Sequence, residues 1–163
     1  MRLAPTRRDL PLSTTPILPF RPLLLDDRVL VALLVGEALP IARRAERLTT
    51  TYFYFRACRA VLAGAGGRLS GPFDHLDPDR RALALEHMLA LPDDVGLPDP
   101  RHIVPVMVDV QRRHPNLNVL NTEAAAAALL LGAKMVLSPP TASGQLETVL
   151  PVEHIAFQTV NLP

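Results

Sequence analysis

The chain is predicted to fold as an α/β domain: a central, mostly parallel sheet between helices, in three layers α/β/α. Three observations predict it. Short apolar runs of strand length alternate with helical segments from residue 22 onward. The first run, Leu23-Leu24-Leu25, is continuously apolar, as a strand buried on both faces requires, and passes straight into Asp26-Asp27 and an apolar helix. Late in the chain, five consecutive alanines (Ala124 to Ala128) offer side chains small enough for a helix to lie close against a sheet.

The elements follow in order. Arg28 to Val35 reads as a short helix stopped by Gly36. Pro40 suits the first turn of a second helix, running through Arg43, Arg44 and Arg47 to Leu48. Thr49-Thr50-Thr51 is β-prone and forms a short second strand, or else Thr51 caps the next helix, Tyr52 to Ala63. Gly64-Ala65-Gly66-Gly67 ends that helix. Pro78 opens another, with Leu83, Met88 and Leu89 at helical spacing up to Pro92, and a loop then reaches Pro100. Asp99 or Pro100 starts a helix through Ile103, Val106, Met107 and Val110 that stops near His114-Pro115. Leu117 to Leu120 is predicted as a short strand, and Asn121-Thr122-Glu123 leads into the helix Ala124 to Leu131, closed by Gly132. Lys134 to Ser138 is the next strand, Gln145 to Leu150 a helical turn or two, and Ile155 to Val160 the last strand.

With 163 residues, 48% hydrophobic and 20% charged, the chain is expected to form one globular domain over residues 22–163. An Arg/Pro-rich arm, residues 1–21, precedes it and is expected to be flexible. Its prolines (Pro5, Pro11, Pro16, Pro19) interrupt any signal-peptide-like run, and no apolar run approaches the roughly 18 residues that cross a bilayer, so no membrane association is expected. The single Cys58 excludes an internal disulfide and points to a reducing cytoplasm. The five histidines lack metal-ligand spacing, and the glycine run lacks the Lys-Ser/Thr of a phosphate loop. Charge is uneven: residues 1–68 hold 11 arginines against five acids, whereas residues 69–163 hold 11 acids against five arginines and Lys134. The first part therefore suits a polyanion.

Three segments carry a resemblance. These are Leu23-Leu24-Leu25-Asp26-Asp27-Arg28-Val29-Leu30, Asn121-Thr122-Glu123-Ala124 through Gly132-Ala133, and Met135-Val136-Leu137-Ser138. In this order the layout resembles the PIN domain, the metal-dependent ribonuclease fold of many bacterial toxins and RNA-processing enzymes. The resemblance implies a PIN-like three-layer α/β/α fold over about residues 22–160 and an RNA substrate. It further implies a protein partner such as an antitoxin, homodimerisation, and four acids around one or two Mg²⁺ or Mn²⁺ ions. Hard cations need such oxygen ligands, and a metal pair activates water for phosphodiester cleavage.

The acids match only in part. The first falls on Asp26, with Asp27 where Thr or Ser is usual. The second falls around Arg56 to Cys58, where no carboxylate stands, and the third falls on Asn121, a neutral amide. Glu123 lies two residues on, about 200° around a helix. The fourth should follow Ser138, where Pro139-Pro140 stands. The site reads as degenerate. An arginine at the second position also opposes a divalent cation, by several kcal/mol if poorly screened.

Each candidate residue has two readings. Asp26 is either the cap of the first helix or the chief catalytic metal ligand. Asp27 is a first-turn acid or a helper ligand. Asn121 is a helix cap or a neutral ligand, and Glu123 a dipole-favoured surface acid or a helper ligand. Arg43 with Arg47, and Arg56 with Arg59, share helix faces that are either solvated or turned to RNA. Tyr52 to Phe55 are expected mostly in the core, with base stacking the alternative. The function expected is RNA-associated: a weak Mg²⁺- or Mn²⁺-dependent ribonuclease or an inactive relative. The alternative is a non-catalytic protein-interaction or dimerisation module on the same scaffold.

Overall fold

The computed structural model describes residues 21–63 and 69–162. The expected arm, apart from Arg21, and the glycine run expected to end the helix Tyr52 to Ala63 fall outside these residues. In chain order the elements are β1 (Leu23–Leu25), α1 (Asp27–Leu34), β2 (Arg47–Thr49), α2 (Thr51–Ala63), α3 (Gly71–Asp74), α4 (Pro78–Leu89) and β3 (Val95–Gly96). They continue with α5 (Pro100–Arg113), α6 (Val119–Leu131), β4 (Lys134–Leu137), α7 (Pro139–Ala142), α8 (Leu146–Val152) and β5 (Phe157–Thr159). The five strands form one sheet in the order β3-β2-β1-β4-β5, and every pairing is parallel.

Alternation along the central strands sorts the core into two faces. Leu24, Leu48 and Met135 point to the side covered by α5, α6 and α8. Leu23, Leu25 and Val136 point to the other side, where Val29 of α1 joins them. Leu30, Val31 and Leu34 continue α1 outward to Ala57 of α2 and to Ala84 and Met88 of α4. Both faces of β1 are thus buried, which is why its sequence is an unbroken apolar run. The alanine helix α6 is buried from Asn121 to Ala128, and Gly132 ends it at a φ of 59°, a left-handed conformation that favours glycine. On the α6 side, Arg113 grips Glu153 through two hydrogen bonds of 2.8 and 2.9 Å. His114 Nε2 meets the same carboxylate at 2.6 Å, tying the end of α5 to the end of α8.

Several expected elements differ. The helix expected from Pro40 to Leu48 does not form: the chain reaches β2 through turns, and Leu39, Ile41 and Ala45 pack beneath the sheet as an irregular strap. No capping side chain precedes Pro40, and the β-branched Thr49 gains a partner strand only if the segment extends. The strand expected over Leu117–Leu120 is instead the entry to α6. Asn118 accepts a hydrogen bond from Asn121 N at 2.9 Å and so supplies the cap, displacing that role from Asn121. Both edges of β4 are already paired, with β1 and β5. Likewise Thr50, not Thr51, caps α2, accepting from Phe53 N at 3.2 Å. The two-residue β3 lies inside the segment expected to be a loop, and α3 and α7 were not expected. All three are too short to show a periodic pattern.

Candidate functional site

All strands run the same way, so their carboxyl ends share one edge, and sheet order reverses around β1. Ligands of open α/β sheets bind at such a point. Here β1 delivers Asp26, β2 delivers Thr49 and Thr50, β4 delivers Ser138, and the first turns of α6 bring Glu123.

Asp26 is fully buried and takes three hydrogen bonds. Its Oδ1 accepts from Val29 N at 2.8 Å, which is the cap of α1. Its Oδ2 accepts from both the backbone N–H and the hydroxyl of Ser138, each at 2.7 Å. Because the Ser138 hydroxyl donates its one proton to Asp26, the Thr141 hydroxyl at 3.1 Å is the donor to Ser138 Oγ. The capping and ligand readings of Asp26 thus compete for the same oxygens.

Asp27 is 1% exposed. Its Oδ1 accepts from Arg28 N at 2.9 Å. Arg56 Nε lies 3.1 Å from Oδ2, but off the N–H axis, so this oxygen has charge compensation without a hydrogen bond. Burial first, then the neighbouring Asp26 carboxylate, pushes the Asp27 carboxyl from 3.8 up to about 6, against the opposing pull of Arg56. The stability linked to a group raised in this way is complete below its unfolded value and is lost as pH rises through its folded value. A rise from 3.8 to about 6 corresponds to about 3 kcal/mol. Asp27→Asn removes this titration, so its melting temperature relative to wild type is expected to climb between pH 4 and pH 8. Scans across that range check it, and a difference that does not change with pH contradicts the burial account.

Glu123 is not a surface acid. It is 7% exposed and reaches across to the start of α2, where Oε1 accepts from Thr51 N at 3.2 Å and Oε2 from Tyr52 N at 2.8 Å. A carboxylate against unpaired N–H groups at a helix start gains from both hydrogen bonding and the helix dipole. Asn121, 8% exposed, donates from Nδ2 to Gln145 Oε1 at 3.0 Å.

The three carboxylates therefore face different partners rather than one another's cation. Among the described residues, no group of three or more His, Cys, Asp or Glu is placed to hold a metal ion. The chemistry of the donors says the same. Mg²⁺ and Mn²⁺ need oxygen lone pairs free to converge, octahedrally for Mg²⁺, whereas here N–H and O–H donors meet Asp26 and Glu123, and Asp27 accepts from Arg28 N and is charge-compensated by Arg56. Asp26–Ser138 joins β1 to β4, Asp27–Arg56 joins α1 to α2, and Glu123 joins α6 to α2. The residues present do not fit the expected Mg²⁺ or Mn²⁺.

The arginines divide as well. Arg43 is exposed in the strap, and Arg47 opens β2, where it pairs with Asp94 at 2.9 Å. The two share no helix face, because the helix expected there is absent. Arg56 and Arg59 do share the exposed face of α2. The four aromatics split evenly: Phe53 is buried, Tyr54 is half-buried with its hydroxyl on Met88 O at 2.7 Å, and Tyr52 and Phe55 are exposed. Cys58 lies beside Tyr54, donating to Met88 O at 3.3 Å. Sequence reasoning missed the parts played by Ser138 and Thr50. The signal for Ser138 was its place directly after the fourth strand, one residue before the expected last acid.

No family model and no curated protein matches this chain. Among solved structures, the chain is similar to VapBC-1 from nontypeable Haemophilus influenzae, at 10% identity and a TM-score of 0.49, over 84% of this chain and 96% of that one. The α/β architecture itself, an all-parallel five-stranded sheet between helices, agrees with the PIN-like layout expected from the sequence. Among the described residues, no helix is long and apolar enough to cross a membrane.

Proposed function

We propose that this chain is a non-catalytic, RNA-associated PIN-like domain that binds single-stranded RNA on the exposed face of α2. The observation that carries this reading is the stripe Tyr52, Phe55, Arg56 and Arg59, at spacings of three and four residues along one helix, all solvent-exposed. Aromatic rings stack on unpaired bases, and arginines meet the backbone phosphates between them. The carboxylates favour binding over cleavage, because Asp26 and Glu123 are taken up by hydrogen bonds and Asp27 is paired with Arg56. On the cleaving alternative, Asp26 is the chief ligand, with Asp27, Glu123 and Asn121 as helpers.

Filter binding with a short unstructured RNA tests the reading. Wild type is expected to bind with an affinity that falls as salt rises. Tyr52→Ala with Phe55→Ala is expected to weaken binding by at least tenfold, as loss of two stacking contacts at ~1–3 kcal/mol each implies. No cleavage is expected in Mg²⁺ or Mn²⁺. Cleavage that Asp26→Asn abolishes overturns the non-catalytic part, and salt-independent or absent binding overturns the RNA part.

A second reading is a protein-interaction module, with a second copy or an antitoxin-like partner on the same face. It draws on Leu62, 63% exposed one turn beyond Arg59, since aromatic and arginine side chains around an apolar residue also suit protein interfaces. A stable oligomer in solution, dissociated by Leu62→Glu and without RNA affinity, selects this reading.

A further inference from the structure

The groove along the outer flank of α1 belongs to neither reading. It encloses about 790 Å³, within the range of small-ligand pockets. One wall is α1 and the turn after it, from Arg28 to Glu37. The facing wall runs from Gly71 through His75 to Arg80, and the end is closed by Ser138–Pro140 with Asn161 and Leu162.

We infer that this groove binds a small phosphate monoester with a ring body, of nucleoside-monophosphate size, with its phosphate held between Arg28 and Arg80. Four observations support the assignment. Arg28 is half-buried, and among the described residues no carboxylate lies within ion-pair distance of its guanidinium. Arg80, which also lines the groove, is 78% exposed and meets Asp77 through Nε at 3.5 Å. Two guanidiniums lining one groove, with His75 lining it too, suit a dianion with several acceptor oxygens better than a single carboxylate. The middle of the groove is apolar (Ala32, Val35, Pro72, Leu76), and Asn161 offers an amide at its edge.

Glu37 lines the groove beyond the C-terminal end of α1, where the chain folds back and its N–H donates to Ala32 O at 2.9 Å. Glu37 has a carboxylate oxygen with no hydrogen-bond partner among the described residues. Burial raises its carboxyl above the usual range. A ring amine at that end would supply the missing donor.

Calorimetric titration of the full-length chain tests the inference, with 5′-nucleoside monophosphates, the matching nucleosides and inorganic phosphate as separate probes. Saturable binding of a monophosphate, tighter than phosphate or nucleoside alone, is expected. Arg28→Gln and Arg80→Gln are each expected to weaken it at least tenfold, while Arg101→Gln on α5 leaves it unchanged; circular dichroism confirms the fold of each variant. No saturable binding up to millimolar concentration, or equal binding by all variants, overturns the inference. Displacement of the monophosphate by a short RNA lacking terminal phosphates also overturns it, by making the groove part of an RNA surface. The α2 variants read the RNA proposal separately, so either can fail alone.

Discussion

Asp26→Asn is expected to lower the melting temperature of the metal-free protein by roughly 5–10 °C, from a loss of about 2–3 kcal/mol. The buried carboxylate meets N–H donors on both sides, Val29 N on one oxygen and Ser138 N on the other. An amide offers one oxygen and one NH₂, so either orientation sets an NH₂ against a backbone N–H and orphans it. A buried donor without a partner costs about 1–3 kcal/mol, and the weakened cap of α1 adds to this. An open cation site predicts the opposite sign. Carboxylates gathered to hold a metal repel one another in its absence, and neutralising one of them then stabilises the protein. Thermal melting in chelator reads the sign directly.

Glu123→Ala is expected to cost about 3 kcal/mol, read as a lower urea midpoint with unchanged slope. The substitution leaves Thr51 N and Tyr52 N without acceptors at the start of α2 and removes a carboxylate favoured by the helix dipole. Glu123→Gln keeps one acceptor oxygen and is expected to lose about half as much. Amide exchange at Tyr52 is expected to accelerate in both variants before global unfolding. If both variants unfold at the wild-type midpoint, Glu123 is not the clasp between α6 and α2.

The sheet was legible because its cause is local. Leu23–Leu25 and Met135–Leu137 are apolar on both faces, and only a strand buried between two layers needs that. The alanine helix was legible for the same kind of reason, since its small side chains record a close approach to the sheet. Neither signal exists for β3, which consists of Val95 and Gly96 and forms because β2 offers a free edge. The expected helix after Pro40 came from the position of one proline, and pairing of β2 with β1 overrode it.

At the site, the sequence located the carboxylates but not their partners. Asp26 and Ser138 are 112 residues apart, and Glu123 is 71 residues from Tyr52. Whether an acid is free or saturated depends on such long-range contacts, which no spacing along the chain encodes. Arg56 was the readable exception, because a cation at a position expected to hold an acid already signals a centre built without a divalent ion.

Calorimetric titration of Mn²⁺ into the wild-type protein, repeated on Asp26→Asn, tests this account most directly. If the carboxylates belong to Ser138, Arg56 and the start of α2, neither protein binds Mn²⁺ saturably up to millimolar concentration. Saturable binding by wild type that is lost in Asp26→Asn contradicts it.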